Sequence, residues 1–247
     1  HLGHFGPWAE TLVPHALDDA RVIAEMDRYG CDMVWMSTSN PGYAADLRTK
    51  NDDVLGFAAR YPDRIIPYCT LSAHTPERNL AELQRCLDHG RCIGVKMHVY
   101  RQPAYSLRSD FLQPVLERLN AHRLVYLNHT FTSVPDLEWA LRRYPEITFI
   151  GGHFSPGWHD LAVRYPNMRG CTCAAMAPES ITHEYARLGR SDVMLVGSDF
   201  SLFQLGFGLG MVAYADIPEA AKADILGGNA IRLMERTGWF TRGMIRK

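Results

Sequence analysis

Three short apolar runs constrain this chain more than any other feature. Residues 124–128 lead to His129, residues 147–152 lead to His153, and residues 193–198 lead to Asp199. Each run is rich in β-branched or aromatic residues, so each reads as a buried strand. A helix-like segment follows each. Buried strands that deliver His, His and Asp at their carboxyl ends place polar groups where α/β folds assemble active sites. Polar caps on three core strands are the plain alternative. Three endings of one kind weigh toward a site, because grouped titratable residues are functional candidates.

The same alternation runs through the chain. Strands are expected over residues 31–36, 64–71, 92–98, 124–129, 147–153, 168–174 and 193–199. Helices are expected over 15–29, 51–61, 75–90, 110–121, 134–143, 157–164, 178–188 and 218–235, the last broken at Gly227 and Gly228. Gly30 and Gly90 close two of them, and Thr75-Pro76 opens one with a cap and a first-turn proline. Strand ends at Ser37, Thr70, His98, His129, His153, Cys173 and Asp199 are 20 to 33 residues apart, one strand–helix unit each. Such alternation predicts a parallel sheet. Seven strands, each followed by a helix, suit an α/β chain folded as a closed (β/α)8 TIM barrel whose first strand lies before His1, so that strand reads as truncated. A doubly wound open sheet would want a glycine-rich phosphate loop after an early strand, and the chain has none. No linker or low-complexity segment divides residues 1–247, which read as a single domain. Phe200, Phe203 and Phe207, among Gly206, Gly208 and Gly210, read as a loop that either walls the site or simply packs.

Composition excludes several classes. The 247 residues carry a net charge of −1 and no long run of one sign, which argues against a nucleic-acid surface or a polybasic membrane patch. No apolar stretch is long enough to span a bilayer. Six cysteines lack the spacing of a disulfide framework, which suits a reducing, cytoplasmic location. Cys171 and Cys173 share a strand face and read as small core hydrophobes, rather than a thiolate metal pair, because no second pair is near.

Imidazole and carboxylate together suit a divalent ion such as zinc, which lowers the pKa of bound water to about 7. His129 and Asp199 are the expected ligands. His153 is either a third ligand or the general acid/base, and Asp199 could also take the proton of bound water. On the strand before them, Lys96 and His98 point to one face, with Lys96 a layer deeper. A buried lysine needs a partner. It binds a substrate anion, is carbamylated between metals, or pairs with a buried acid. Arg101 could clamp a carboxylate or be an ordinary loop residue. His15, His74, His89, His122, His159 and His183 read as surface or capping residues, and Trp158 as lining the mouth or packing. The expected partners are a small anionic molecule and a second copy of the chain in a homodimer.

Five segments resemble the amidohydrolase-related group of the amidohydrolase superfamily, which includes aminocarboxymuconate semialdehyde decarboxylase. They are Gly94-Val95-Lys96-Met97-His98, Leu127-Asn128-His129-Thr130, Ile150-Gly151-Gly152-His153, Val196-Gly197-Ser198-Asp199 and the stretch 225–233. The resemblance implies a TIM-barrel metal enzyme whose ion is held by a His-x-His pair, a later His and a final Asp. Here these correspond to His1 as second member of the pair, His129 and Asp199, with His153 as catalytic residue or additional ligand. Phe154-Ser155 departs from the glycine-rich run of the family's decarboxylases. The expected activity is therefore hydrolysis of a C–O or C–N bond in a small carboxylated or cyclic substrate. Nonoxidative decarboxylation of an aromatic or dienoic acid, and a non-catalytic barrel that binds a small molecule, are the alternatives.

Overall fold

In the computed structural model, which describes residues 18–38, 47–99, 103–154, 157–173, 175–200 and 203–245, seven strands lie side by side in chain order. They are β1 (Val34–Met36), β2 (Ile65–Thr70), β3 (Gly94–Met97), β4 (Val125–Asn128), β5 (Thr148–Gly151), β6 (Met168–Cys171) and β7 (Met194–Leu195). All six neighbouring pairs are parallel. Helices join them: α1 (Asp19–Arg28), α2 (Leu47–Arg60), α3 (Asn79–Asp88), α4 (Gln113–Ala121), α5 (Val134–Arg143), α6 (Trp158–Arg164), α7 (Pro178–Leu188), α8 (Leu205–Ala213), α9 (Glu219–Ala223) and α10 (Asn229–Glu235). This is the winding of a TIM barrel. The strand expected before His1 lies outside the described residues.

Two apolar layers hold the fold. Between sheet and helices, Tyr126, Phe149, Trp158, Leu83 and Leu116 are fully buried. Inside the sheet, Ile66, Tyr68, Val125, Ile150 and Leu195 pack with Leu233, Met234 and Phe240. Arg236 reaches Glu146 and the Thr148 hydroxyl, so the C-terminal segment covers the amino ends of the strands. Burying each such side chain contributes about 1.5–3 kcal/mol.

Local signals set most element ends. Asp18 accepts from Ala20 N at 2.9 Å and Ser133 from Asp136 N at 3.3 Å, capping α1 and α5. Gly189, at φ 67°, ends α7. Thr75 makes no cap bond. Residues Pro76–Arg78 form a 3-10 turn, and Asn79 ties the segment to Ser72 through its side chain. Helix α2 starts at Leu47 rather than residue 51, because Leu47 is itself in the core. The closing helix is not broken at Gly227 and Gly228; one π-helical stretch, Asp224–Gly228, carries it through.

Two differences bear on the site. The stretch read as a glycine-rich loop is helix α8. A Cβ on Gly208 would lie 2.6 Å from Ser198 Cα, and one on Gly206 would lie 2.4 Å from the Tyr29 ring. The glycines let the helix lie against the exit of β7, which outweighs their poor helix propensity. Phe200 packs into the core beside Val22 and Met26, while the Phe203 and Phe207 rings stack at 5.3 Å. Strands β5, β6 and β7 also end before His153, Cys173 and Asp199. These three residues stand on the turns that follow.

Candidate active site at the barrel mouth

The site is assembled from consecutive strand exits. On β3, Lys96 and, just past its end, His98 are 6% and 7% exposed. His129 follows β4, and its backbone N–H donates to Met97 O at 3.1 Å, which extends the ladder by one step. The His98 and His129 rings then stack at 3.8 Å with 17° between their planes. After β5 the chain must approach His129 closely. A Cβ at Gly152 would sit 2.5 Å from the His129 carbonyl oxygen, so only glycine fits. His153 turns inward at φ 53°, and its Nε2 comes 3.2 Å from His129 Nδ1. From the exit of β6, the Cys173 sulfur accepts a bond from the His153 backbone N–H at 3.4 Å and lies 3.7 Å from Nδ1. Asp199, at φ 49°, follows β7. Its charge acts on Lys96, His129 and His153. Non-glycine residues in the left-handed region cost of order 1–3 kcal/mol and gather at functional sites.

The groups perturb one another in opposite directions. Burial, then the neighbouring charges of His98, His153 and Lys96, push His129 down to about 3, against the pull of Asp199. His153 is raised, first by its hydrogen bond with Cys173. A proton shared between the rings therefore belongs to His153 Nε2, with His129 Nδ1 accepting. Burial lowers Lys96, while the charges of Cys173, Cys171 and Asp199 oppose that. Among the described residues no acid stands at ion-pair distance from Lys96, and Asp199 is the carboxylate whose charge acts on it.

The structure thus brings Lys96, His98, His129, His153 and Asp199 to one mouth. His1 and Arg101 lie outside the described residues, as does His15. His74, His89, His122 and His183 are exposed, as expected. His159 is not: half-buried on α6, it contacts Glu184 of α7 through Nε2. Trp158 is fully buried, with its ring filling the space above Gly170, and lines no mouth. Sequence reasoning missed Cys173 as a partner of His153. The available signal was Cys171-x-Cys173 at a strand end.

The donors can be tested against a metal ion. Two nitrogen ligands about 2.0–2.1 Å from one ion stand roughly 2.8–3.4 Å apart, from octahedral to tetrahedral geometry. The 3.2 Å spacing of His129 Nδ1 and His153 Nε2 fits. His129 is held neutral, the form that binds metal. The other nitrogen of His153 faces the Cys173 sulfur, as a ligating histidine's second nitrogen commonly faces a partner. Among the described residues no three His, Cys, Asp or Glu side chains stand ready as a cage. The pair by itself fits an ion.

A family model described as amidohydrolase matches residues 42–236. The chain belongs to the amidohydrolase family. Solved structures of similar fold accompany that match. One is 2,6-dihydroxybenzoate decarboxylase in complex with 2,6-dihydroxybenzoate, at 17% identity over 94% of this amidohydrolase and 92% of that chain, with a TM-score of 0.77. Another is a dihydroxybenzoic acid decarboxylase from a Polaromonas species with bound manganese and 2-nitroresorcinol, at 18%, 94%, 91% and 0.76. A third is 5-carboxyvanillate decarboxylase from Sphingomonas paucimobilis, at 19%, 94%, 87% and 0.73. At these identities the likeness shows the fold. No curated protein matches the sequence. No described helix of this amidohydrolase is long and apolar enough to cross a membrane.

Proposed function

We propose that this amidohydrolase is a metal-dependent, nonoxidative decarboxylase of a small aromatic or dienoic acid. The observation that carries the reading is the His129–His153 nitrogen pair, set above buried Lys96 and beside Asp199 at one barrel mouth. Three similar folds are aromatic-acid decarboxylases, one with manganese, which favours this reading over hydrolysis of a C–O or C–N bond. The departure at Phe154-Ser155 had weighed toward hydrolysis.

His129, His153 and Asp199 would hold the ion, with His1 a further candidate. Such an ion supplies charge that orients the substrate's oxygens and stabilises the electron-rich transition state. The protein's own groups do the rest. Lys96, with His98 beside it and Arg101 three residues further along the sequence, anchors the carboxylate; a substrate anion satisfies a buried cation. Asp199 carries a proton to the ring carbon that bears the carboxylate. The C–C bond to that carboxylate breaks, its electron pair restores the ring, and carbon dioxide leaves. A small anionic substrate, a cytoplasmic setting and a homodimer complete the proposal.

The test is product analysis of the full chain loaded with manganese or zinc and given 2,6-dihydroxybenzoate and 5-carboxyvanillate. Carbon dioxide release that chelation stops is expected. Acid release from esters, lactones or amides, with no carbon dioxide from either acid, would replace this reading with hydrolysis. No bound metal and no turnover would leave a small-molecule binder.

A further inference from the structure

The proposed reaction does not use Cys171, yet this residue lies beside Cys173, whose sulfur contacts His153. Strand β6 ends at Cys171, and the chain then turns, with Ala175 N donating to Thr172 O at 3.0 Å. In an extended strand, Cα atoms two residues apart are about 6.6 Å from each other, at the upper limit for a disulfide. The turn relaxes that limit. The two side chains are neighbours, and each acts first on the other's ionisation. They also converge on the space above Gly197, where a Cβ would lie 2.3 Å from Cys171 Sγ and 3.1 Å from Cys173 Cβ. A side chain at residue 197 would drive them apart.

We propose that Cys171 and Cys173 are an oxidation site: a peroxide-responsive dithiol that closes to a disulfide and withdraws the Cys173 sulfur from His153. Access favours this pair. Cys69, Cys86 and Cys92 are at most 3% exposed, whereas Cys171 and Cys173 are partly open at the mouth; Cys31 is also partly open, but burial pushes its thiol up to about 11. Chemistry favours Cys171 as the first to react, since Cys173, through its side chain and backbone, and then the Lys96 charge draw its thiol toward the thiolate against the cost of burial. Its sulfur attacks one peroxide oxygen, the O–O bond breaks, and one water leaves a sulfenic acid. The Cys173 sulfur attacks that sulfur, the S–S bond forms, and a second water leaves. Two thiols thereby lose two hydrogens, and hydrogen peroxide is reduced to two waters. A ring closed over one intervening residue is strained, and strained disulfides are readily reduced, so a dithiol reductant reverses the change.

The closure itself is independent of the proposed activity; only its effect on turnover rests on the decarboxylase reading. The full chain is treated with hydrogen peroxide, and the tryptic peptide 170–187 is weighed. The expected result is loss of two hydrogens, restored by dithiothreitol and absent in both Cys171→Ser and Cys173→Ser. No such loss, or its persistence in either variant, overturns the proposal. The second readout is the His153 ring proton signal, identified as the resonance missing from His153→Gln. It should move on oxidation of the wild type and stay in place when Cys171→Ser is treated. A disulfide that forms while this signal stays fixed overturns the link to His153. With 2,6-dihydroxybenzoate as substrate, oxidation should lower turnover roughly ten- to hundredfold, the range for losing the partner of a ligating histidine. Unchanged turnover in the oxidised, active enzyme also overturns that link. An enzyme inactive on this acid before oxidation bears on the decarboxylase reading alone, and the peptide mass and ring signal still decide this one.

Discussion

At His129 and His153, a proton and a metal ion compete for the same 3.2 Å gap. Loading with manganese should therefore release protons, and its affinity should fall as pH falls; calorimetry in buffers of different ionisation enthalpy measures both. The folded chain also refuses a proton at His129 until about pH 3, whereas an unfolded histidine takes one near 6.5. The stability from this residue is thus complete above pH 6.5 and is lost as pH falls toward 3. His153 is shifted the other way and contributes with the opposite sign. Urea unfolding of wild type and His129→Asn at about pH 7.5 and about pH 4.5 isolates the first effect. The wild type should lose more stability across that step than the variant. At Lys96, substitution by Met should cut kcat/KM steeply for the acid and much less for its neutral amide; equal losses on both would make Lys96 structural or carbamylated.

Elements decide where these residues stand. The exits of β4 and β5 can meet because residue 152 has no side chain. Gly152→Ala would push its Cβ against the His129 carbonyl oxygen, a backbone atom that cannot swing aside. The expected cost is about 1–3 kcal/mol of stability, with a larger loss of metal affinity as the imidazoles separate. Gly208→Ala in α8 sets two effects against each other. Alanine gains about 1 kcal/mol of helix propensity, but its Cβ would lie 2.6 Å from Ser198 Cα, and overpacking costs about 1–3 kcal/mol. The close contact should win, and urea denaturation should show a less stable variant. A more stable one would mean that α8 can move off β7 at little cost.

For the whole molecule, the barrel brings together groups contributed from residue 96 to residue 199 and joins them only at its mouth. Metal should therefore stabilise the folded chain as a whole. At a hundred times the dissociation constant the gain is about 2.7 kcal/mol, seen as a higher Tm in the wild type and not in Asp199→Asn. Much of this architecture was legible in the chain. Alternating strand-like and helix-like segments, spaced one unit apart, left few options besides a parallel barrel, and period two in β3 put Lys96 and His98 on one face. Helices α5 and α7 fall at the expected residues because Ser133-Val134-Pro135 and Leu188-Gly189 are strong local stop and start signals. Helix α8 was not legible, since its glycines read as a loop until the surface they pack on is known. The pairing of Cys173 with His153 had only Cys171-x-Cys173 at a strand end to point to it, because a 20-residue separation carries no contact information. Hydrophobic period and turn chemistry are local, and the sequence by itself determines the order and kind of the elements through them. Distances such as the 3.2 Å between two imidazoles depend on how closely non-neighbouring backbones approach. Only the packed tertiary structure decides those, because they are set by which side chains, and which missing side chains, meet.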